Sequence, residues 1–530
     1  MMNEKVAPPD SGWKQSLTAI FERRVISMTF LGFSAGVPLL LIFSSLSLWL
    51  NEAGIERSSI TLFSYAALAY SFKFVWAPIV DRLPIPVLTQ KLGIRRSWLL
   101  LSQLCVMGSI ASIAFVDPAL SADSLAVMAF AVIALGFSAA TQDIVIDAYR
   151  IEAAPSSMQG LLSAAYVFGY RISMLASGAG ALYLASYFGS TSDVYSYEAW
   201  RSTYLIMSSV MLIGVITTFS VGSPEFGRVS TEDYSLSEYA KFVVLFLVSV
   251  VIFVLSFVQI GQYKELLLSF FDNKILLIVL PALYEFFKII ISAIFALCIA
   301  YILVVFKLVN QSMLNETYIK PVSDFFERYH LKYALIILAL IGCYRVSDIV
   351  LGVISNLFYQ DIGYSKQQIA AAVKTFGLIA TIIGAYVGGI FVVRFGVMRI
   401  LLAGAIAGSV TNLFFILLAS SDPSLAMLYL VVGLDNFSAG LATSAFIAFL
   451  SSLVNISFTA MQYAIFSSLM TLFPKLLGGY SGAIVNTIDY PGFFVVTAVL
   501  GIPAILLILF LQKYILVDDK GIKLSNEISR

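Results

Sequence analysis

Fourteen long apolar runs, with cations sorted into alternate gaps between them, constrain this chain more than any other feature. The runs cover residues 25–50, 60–80, 98–116, 124–147, 158–186, 203–221, 241–260, 275–306, 333–357, 368–391, 399–418, 426–449, 461–485 and 495–516. A helix needs about 17–25 residues to cross the hydrocarbon of a bilayer, so the longer runs must tilt or project beyond it. Helix is the conformation expected throughout, because backbone left unpaired in lipid is too costly. Composition agrees: the 530 residues are 60% apolar and 12% charged, with a mean hydropathy of +0.92. These values exclude an ordinary soluble protein.

Of the 32 Lys and Arg residues, twenty-one fall on one set of gaps and tails and five on the other. The rich set includes Arg23, Arg24, Arg82, Arg95, Arg96, Arg150, Arg328, Arg394 and Arg399; the poor set is Arg57, Arg201, Lys264, Lys274 and Lys366. Loops rich in Lys and Arg stay in the cytoplasm, so both termini are expected there. Residues 1–24, with four basic residues and no small-residue cleavage site, read as a cytoplasmic tail. The net charge of +1 is spread over loops, so no nucleic-acid-binding face is expected.

Two stretches break the pattern: 222–240 is polar and 307–332 is charged and carries Pro321. Two runs lie between them, and six remain on either side. The expectation is an all-α polytopic membrane protein of fourteen spans on the major facilitator plan, with two six-helix bundles and two inserted central helices. The expected boundaries are a tail 1–24, a bundle 25–221, a linker with two extra helices 222–332, a bundle 333–516 and a tail 517–530. The bundles echo each other at one junction. Asp81-Arg82 followed by Arg95-Arg96 in the first matches Arg394 and Arg399 flanking Gly396 in the second. These six residues are candidates for a cytoplasmic gate, or are simply basic loops obeying the charge bias. The pairs Gly32/Gly36, Gly384/Gly388 and Gly478/Gly482 predict close helix approach.

Ionisable side chains inside spans are costly and mark pathways or mutual pairs. Asp143 and Asp147 share one helix face four residues apart, with Arg150 a turn beyond. Asp147 and Arg150 could simply close the helix end; Asp143 lies a turn deeper. Arg171, midway along the fifth run, is expected to pair with this carboxylate couple, while Tyr170 adjoins it. Lys73 lies among Tyr70, Phe72, Phe74 and Trp76, a setting for a sugar ring beside an anion. In the second half Arg345 and Asp348 could satisfy each other, and Asp435 has no cation on its own helix. Asp143, Asp147, Asp348 and Asp435 are therefore the proton-carrying candidates. Lys73, Tyr70, Trp76, Tyr170, Arg171 and Arg345 are the cargo-binding candidates, with Lys374 and Lys475 as further cations. Glu285 and Lys288 should neutralise each other in the inserted pair.

His330, the single histidine, is placed in a solvated loop, so metal binding and histidine proton relays are not expected. Cys105, Cys298 and Cys343 lack metal-like spacing and read as buried apolar side chains. No phosphate-cradling Gly-rich loop ends in Lys-Ser or Lys-Thr, which argues against ATP-driven pumping. No cofactor is expected.

The stretches Leu31-Gly32-Phe33-Ser34-Ala35-Gly36-Val37-Pro38, Phe72-Lys73-Phe74-Val75-Trp76-Ala77-Pro78-Ile79-Val80-Asp81-Arg82, Arg95-Arg96-Ser97-Trp98, Gln142 to Tyr149 and Gly169-Tyr170-Arg171 closely resemble the AmpG-type muropeptide permeases. The resemblance implies a carrier of the bacterial inner membrane, not an enzyme, importing N-acetylglucosamine–anhydro-N-acetylmuramyl peptides with protons, as part of cell-wall recycling. It puts the acidic motif on Asp143 and Asp147 and the charged fifth-run position on Arg171. The relatives also include acetyl-CoA transporters and siderophore permeases, so another anionic cargo is the alternative within transport. A non-transporting receptor or scaffold is the alternative outside it. The expected partners are an anionic small molecule or sugar-peptide, protons and lipid, with the chain acting as a monomer.

Overall fold

The structure is a computed structural model. It describes residues 18–56, 59–60, 63, 66, 68–191, 194–222, 224, 234–264, 266, 269, 274–479, 481–518 and 521–524. Residues 1–17 of the expected N-terminal tail lie outside the described residues, as do parts of the 60–80 run and most of 223–233. Among the described residues, twelve helices are long and apolar enough to cross a membrane. The 158–186 run is not among the twelve. It is helical from Gln159 to Leu175, passes through a π-helical stretch Ala176–Gly180 and continues as Ala181–Tyr187. The fold is all-α apart from a terminal hairpin, in which Ile515–Asp518 pairs antiparallel with Gly521–Leu524.

The chain divides into two compact units, residues 229–324 and all the rest. In the smaller unit, helix Leu236–Gly261 opens with a capping box, Ser235 and Glu238 each bonding the other's backbone. It packs against Lys274–Val305. The Lys288 ammonium sits 4.0 Å from the centre of the Phe257 ring; the side chain of Glu285, its expected partner, lies outside the described residues. Only 6% and 11% of the most apolar windows of these helices are buried, against 33–61% in the other ten, so their sides are apolar and outward-facing.

The larger unit holds an N-terminal segment, up to residue 228, and a C-terminal segment, from 325. Small residues bring helices together in each. At Gly32 and Gly169 an added Cβ would collide with the carbonyl oxygens of Tyr166 and Thr29, which locks Arg23–Ile42 against Gln159–Leu175. At Gly384 and Gly440 it would strike those of Phe437 and Thr381, which does the same for Gly377–Phe395 and Leu425–Ser452. Gly482 is different, because a Cβ there would meet nothing within 4 Å. The expected Gly478/Gly482 contact is therefore not made as a pair.

Helix Ala122–Ala153 organises the N-terminal segment. Ser121 caps its start, Asp123 occupies the first turn and Arg150 the last, each suited to the helix dipole. At 1.5 Å per residue its 32 residues span roughly 48 Å, well beyond the ~30 Å hydrocarbon core. Its last turns hold Arg150 and Glu152. Near its other end, Trp49 stacks parallel on Trp200 at 5.6 Å, while Trp200 Nε1 and Ser190 Oγ both donate to Glu52 at 2.7 Å.

Two expectations fail. The 307–332 stretch is not a loop: it forms Gln311–Leu314, a π-helical stretch Asn315–Ile319 and the start of Lys320–Cys343. Phe325 and Tyr329, one helical turn apart, are buried, so apolar spacing outweighed the charge count. His330 is exposed as expected, but it sits at a kink inside that helix, with φ 53°. Cys105 and Cys298 are exposed rather than buried. In a bilayer the outer faces of helices are as apolar as the inner ones, so an apolar run does not locate the interior.

Candidate functional site

At the end carrying the cation-rich loops, Arg95, Asp81 and Glu152 are buried together, each no more than 3% exposed. Arg95 Nη2 lies 2.7 Å from Asp81 Oδ1 and 2.6 Å from Glu152 Oε1, and its Nε donates to both Glu152 oxygens at 3.0–3.1 Å. Asp81 also reaches the C-terminal segment. The backbone N–H groups of Ala460 and Met461 donate to its two oxygens at 3.1 and 2.9 Å. These are among the first N–H groups of helix Thr459–Gly478, so a carboxylate from one segment caps a helix of the other. Close by, the Arg82 guanidinium lies 5.7 Å from the Phe458 ring centre. Arg150 Nη1 donates to Ser451 Oγ and Gln159 Oε1 at 2.8 Å, and its guanidinium covers Tyr463 at 5.1 Å. Gly160 and Gly389 pack backbone to backbone.

The two acids of Ala122–Ala153 have different surroundings. Asp147 has two cations, Lys73 at 3.4 Å and Arg150 at 3.5 Å. Asp143 accepts a hydrogen bond from Tyr166 at 3.3 Å and has no ion pair among the described residues. Lys73 itself is 8% exposed, in a one-turn 3₁₀ stretch Lys73–Val75 between short helices Leu68–Phe72 and Ala77–Arg82. Pro78, at the start of the last of these, has no N–H to continue the previous helix.

The expected pairing of Arg171 with Asp143 or Asp147 is not formed; Lys73 and Arg150 hold Asp147 instead. Helical geometry explains it. Tyr166 faces Asp143, and Arg171 follows five residues later, rotated about 140° away at 100° per residue. Arg171 lies beside Tyr170 and within electrostatic reach of Arg345 from the C-terminal segment. Arg345 bonds Thr443 Oγ1 at 2.8 Å and lies 3.3 Å from Asp348. Asp435 lies beside Thr411 and within electrostatic reach of Asp348. A ring contact at 6.0 Å between Phe168 and Tyr386 joins the segments one turn from Arg171.

Other candidates lie elsewhere. Trp76 is buried, stacked on Phe137 at 4.5 Å, with its Nε1 donating to Thr141 at 3.0 Å; this ring packs helices together rather than flanking Lys73. Arg96 donates to the carbonyls of Thr218 and Phe219 at 3.1 Å, closing helix Leu212–Ser220 within its own segment. Arg394 lies over Phe395 at 5.9 Å and Arg399 is exposed, so the echo in sequence is not an echo in geometry. Lys374 and Lys475 are exposed. Sequence reasoning passed over Glu152 and Tyr166. Glu152 had a signal: a carboxylate in the last turn of a helix opposes the dipole and calls for a cation. Tyr166 sits four residues before Tyr170, on the same face.

Comparisons with known proteins agree in kind. A family described as acetyl-coenzyme A transporter 1 matches residues 25–274. A transporter of Rickettsia felis, AmpG 4, is 32% identical over 94% of this chain and 99% of its own length. The chain belongs to the AmpG family of permeases. The anhydromuropeptide permease of Escherichia coli K12, in the same family, is 26% identical over 96% of this chain and 84% of its own. Among solved structures, the proton:xylose symporter XylE matches with a TM-score of 0.54 at 13% identity, covering 95% of this chain and 96% of its own. FucP in its outward conformation matches at 0.54 and 12%, covering 92% and 97%. Both are major facilitator proteins, and their likeness establishes that fold here. This AmpG-family chain is accordingly a multi-pass carrier of the bacterial inner membrane, a secondary transporter and not an enzyme.

Proposed function

We propose that the protein imports N-acetylglucosamine–anhydro-N-acetylmuramyl peptides into the cytoplasm together with protons. The observation carrying this reading is the unequal pair on helix Ala122–Ala153: Asp147 makes direct ion pairs with two cations, while Asp143 accepts a hydrogen bond from Tyr166 and makes no direct ion pair among the described residues, with Lys73 in electrostatic reach. A carboxylate free of a direct ion pair can take up and release a proton without breaking one. Asp143 is thus the proton carrier, and Asp147 with Lys73 is the fixed pair that its charge perturbs. Arg171 and Arg345, one from each segment, supply the positive field for acidic groups of the cargo. Tyr170 lines the same place, and Asp348 and Asp435 serve the C-terminal side.

The fold assigned to this function has fourteen spans, two bundles of six (25–221 and 333–516) and two inserted helices. Both termini lie in the cytoplasm and the chain works as a monomer. The twelve apolar helices, together with the helical 159–187 stretch and the remainder of the 60–80 run, support that count. The contacts of Asp81, Arg82 and Arg150 across the segments gather at the cation-rich end, which supports reading this conformation as closed to the cytoplasm. Alternating access then requires those contacts to break once cargo and proton are aboard.

The match of residues 25–274 to an acetyl-coenzyme A transporter family favours a second cargo, an acyl-CoA. Competition decides between them. In vesicles holding the protein, unlabelled anhydromuropeptide is expected to suppress uptake of labelled anhydromuropeptide at far lower concentration than acetyl-CoA or a ferric siderophore. Suppression by acetyl-CoA alone, or labelled ligand that binds without entering, would overturn the assignment.

A further inference from the structure

Near Asp143 one phenol is buried with its hydroxyl unpaired. Tyr70, on the short helix Leu68–Phe72, packs against helix Ala122–Ala153 with its hydroxyl out of contact with solvent and without a hydrogen-bond partner. Leaving a buried hydroxyl unpaired is unfavourable, and it is tolerated most readily where a partner is available in another state of the molecule. The groups around Asp143 are Tyr70 and Lys73 on the interrupted helix, Tyr166 and Tyr170 on Gln159–Leu175, Tyr463 on Thr459–Gly478, and Asp147 and Arg150 on its own helix. Lys73 and Arg150 are committed to Asp147, and Tyr166 already donates to Asp143. Tyr463 lies beneath the Arg150 guanidinium. Among these groups the Tyr70 hydroxyl is the one that is buried without a hydrogen-bond partner.

The backbone makes such a move easy. Tyr70 precedes the 3₁₀ stretch Lys73–Val75 by one turn, and a 3₁₀ interruption inside a span is a common site of local rotation. Turning Leu68–Phe72 about that interruption re-aims Tyr70 while Ala77–Arg82 and its Asp81 contacts stay in place.

We propose that Tyr70 is a positioning residue of the proton step, donating a second phenolic hydrogen bond to Asp143 when that carboxylate is ionised. Asp143 gives its proton to water on the cytoplasmic side, and Tyr70 keeps its own proton throughout. The negative charge left on Asp143 then draws the Leu68–Phe72 helix toward it, so release of the proton is transmitted to the interruption that carries Lys73. This inference rests on Asp143 being the coupling carboxylate.

Tyr70→Phe in the full-length protein, reconstituted in vesicles, tests it. Because the hydroxyl makes no hydrogen bond in this conformation, the variant is expected to insert normally and keep the thermal stability of the parent. Without the donor, ionised Asp143 is less favoured, so the pH profile of gradient-driven uptake is expected to move alkaline by about one unit, a tenfold change in proton affinity. A profile that superimposes on the parent after scaling, as a purely structural role requires, contradicts the inference, and so does failure of the variant to fold. Asp143→Asn separates the levels: if it still accumulates cargo uphill, the proton reading itself is wrong; if it does not and the Tyr70→Phe profile is unmoved, only the role of Tyr70 falls.

Discussion

Arg171 and Asp143 show how far single residues can be read. The energetic penalty of ionisable groups in lipid singled out both from the chain alone, and each lies within electrostatic reach of a residue from the C-terminal segment. Their pairing was not legible, because it depends on how neighbouring helices are rotated, and five residues of helix turn Arg171 from Asp143 toward Arg345. Two guanidinium groups approaching from different segments repel until an anion lies between them. Arg171→Gln and Arg345→Gln are each expected to raise the half-saturating concentration of an acidic cargo by roughly 10–100-fold, since a hydrogen bond to a charged group contributes about 1.5–3 kcal/mol. The maximal rate should change far less. Initial rates of uptake over a concentration series check this, and an unchanged half-saturation for both variants would remove these residues from the cargo site.

Helix pairs are set by small residues, and here spacing and contact part company. Gly384 and Gly482 look alike in sequence, each in a pair four residues apart, yet one touches the backbone of Leu425–Ser452 and the other touches nothing. Gly384→Ala forces those helices apart, and overpacking of this kind typically destabilises by about 1–3 kcal/mol. Gly482→Ala is expected to be neutral. Thermal unfolding in detergent should show a clear drop in midpoint for the first and none for the second; equal midpoints would mean the close approach is absent in solution. The same scale explains the 307–332 stretch, where counting charges hid helix-spaced Phe325 and Tyr329. Periodicity was the better guide. The interrupted helix around Lys73 carried a weaker signal, Pro78, which reveals a break but not the 3₁₀ turn before it.

At the scale of the whole molecule, the distribution of Lys and Arg made the membrane fold legible before any contact was known. It did not disclose that the gate is lopsided. The buried Asp81–Arg95–Glu152 cluster belongs to the N-terminal segment and grips the start of Thr459–Gly478, whereas Arg394 lies over the Phe395 ring and Arg399 is exposed. Asp81→Asn removes the charge that two backbone N–H groups and Arg95 meet. A loss of about 1.4 kcal/mol changes an equilibrium tenfold, so the cytoplasmic end should open about ten times more often. A cysteine placed at Ser451, beside Arg150, is expected to react with a cytoplasmic thiol reagent correspondingly faster in that background. Equal labelling rates would show that Asp81 does not hold the end shut.

The account stands on Asp143 as the group that carries the proton, and one comparison addresses it most directly. Labelled anhydromuropeptide uptake is followed in vesicles containing the parent, Asp143→Asn or Asp147→Asn, under an inward proton gradient that is then collapsed. The parent should accumulate cargo above equilibrium and lose the excess on collapse. Asp143→Asn should equilibrate cargo but never concentrate it, at any pH, while Asp147→Asn, which strands Lys73 and Arg150, should be slowed in both modes. Accumulation by Asp143→Asn that matches the parent and discharges with the gradient would contradict the account.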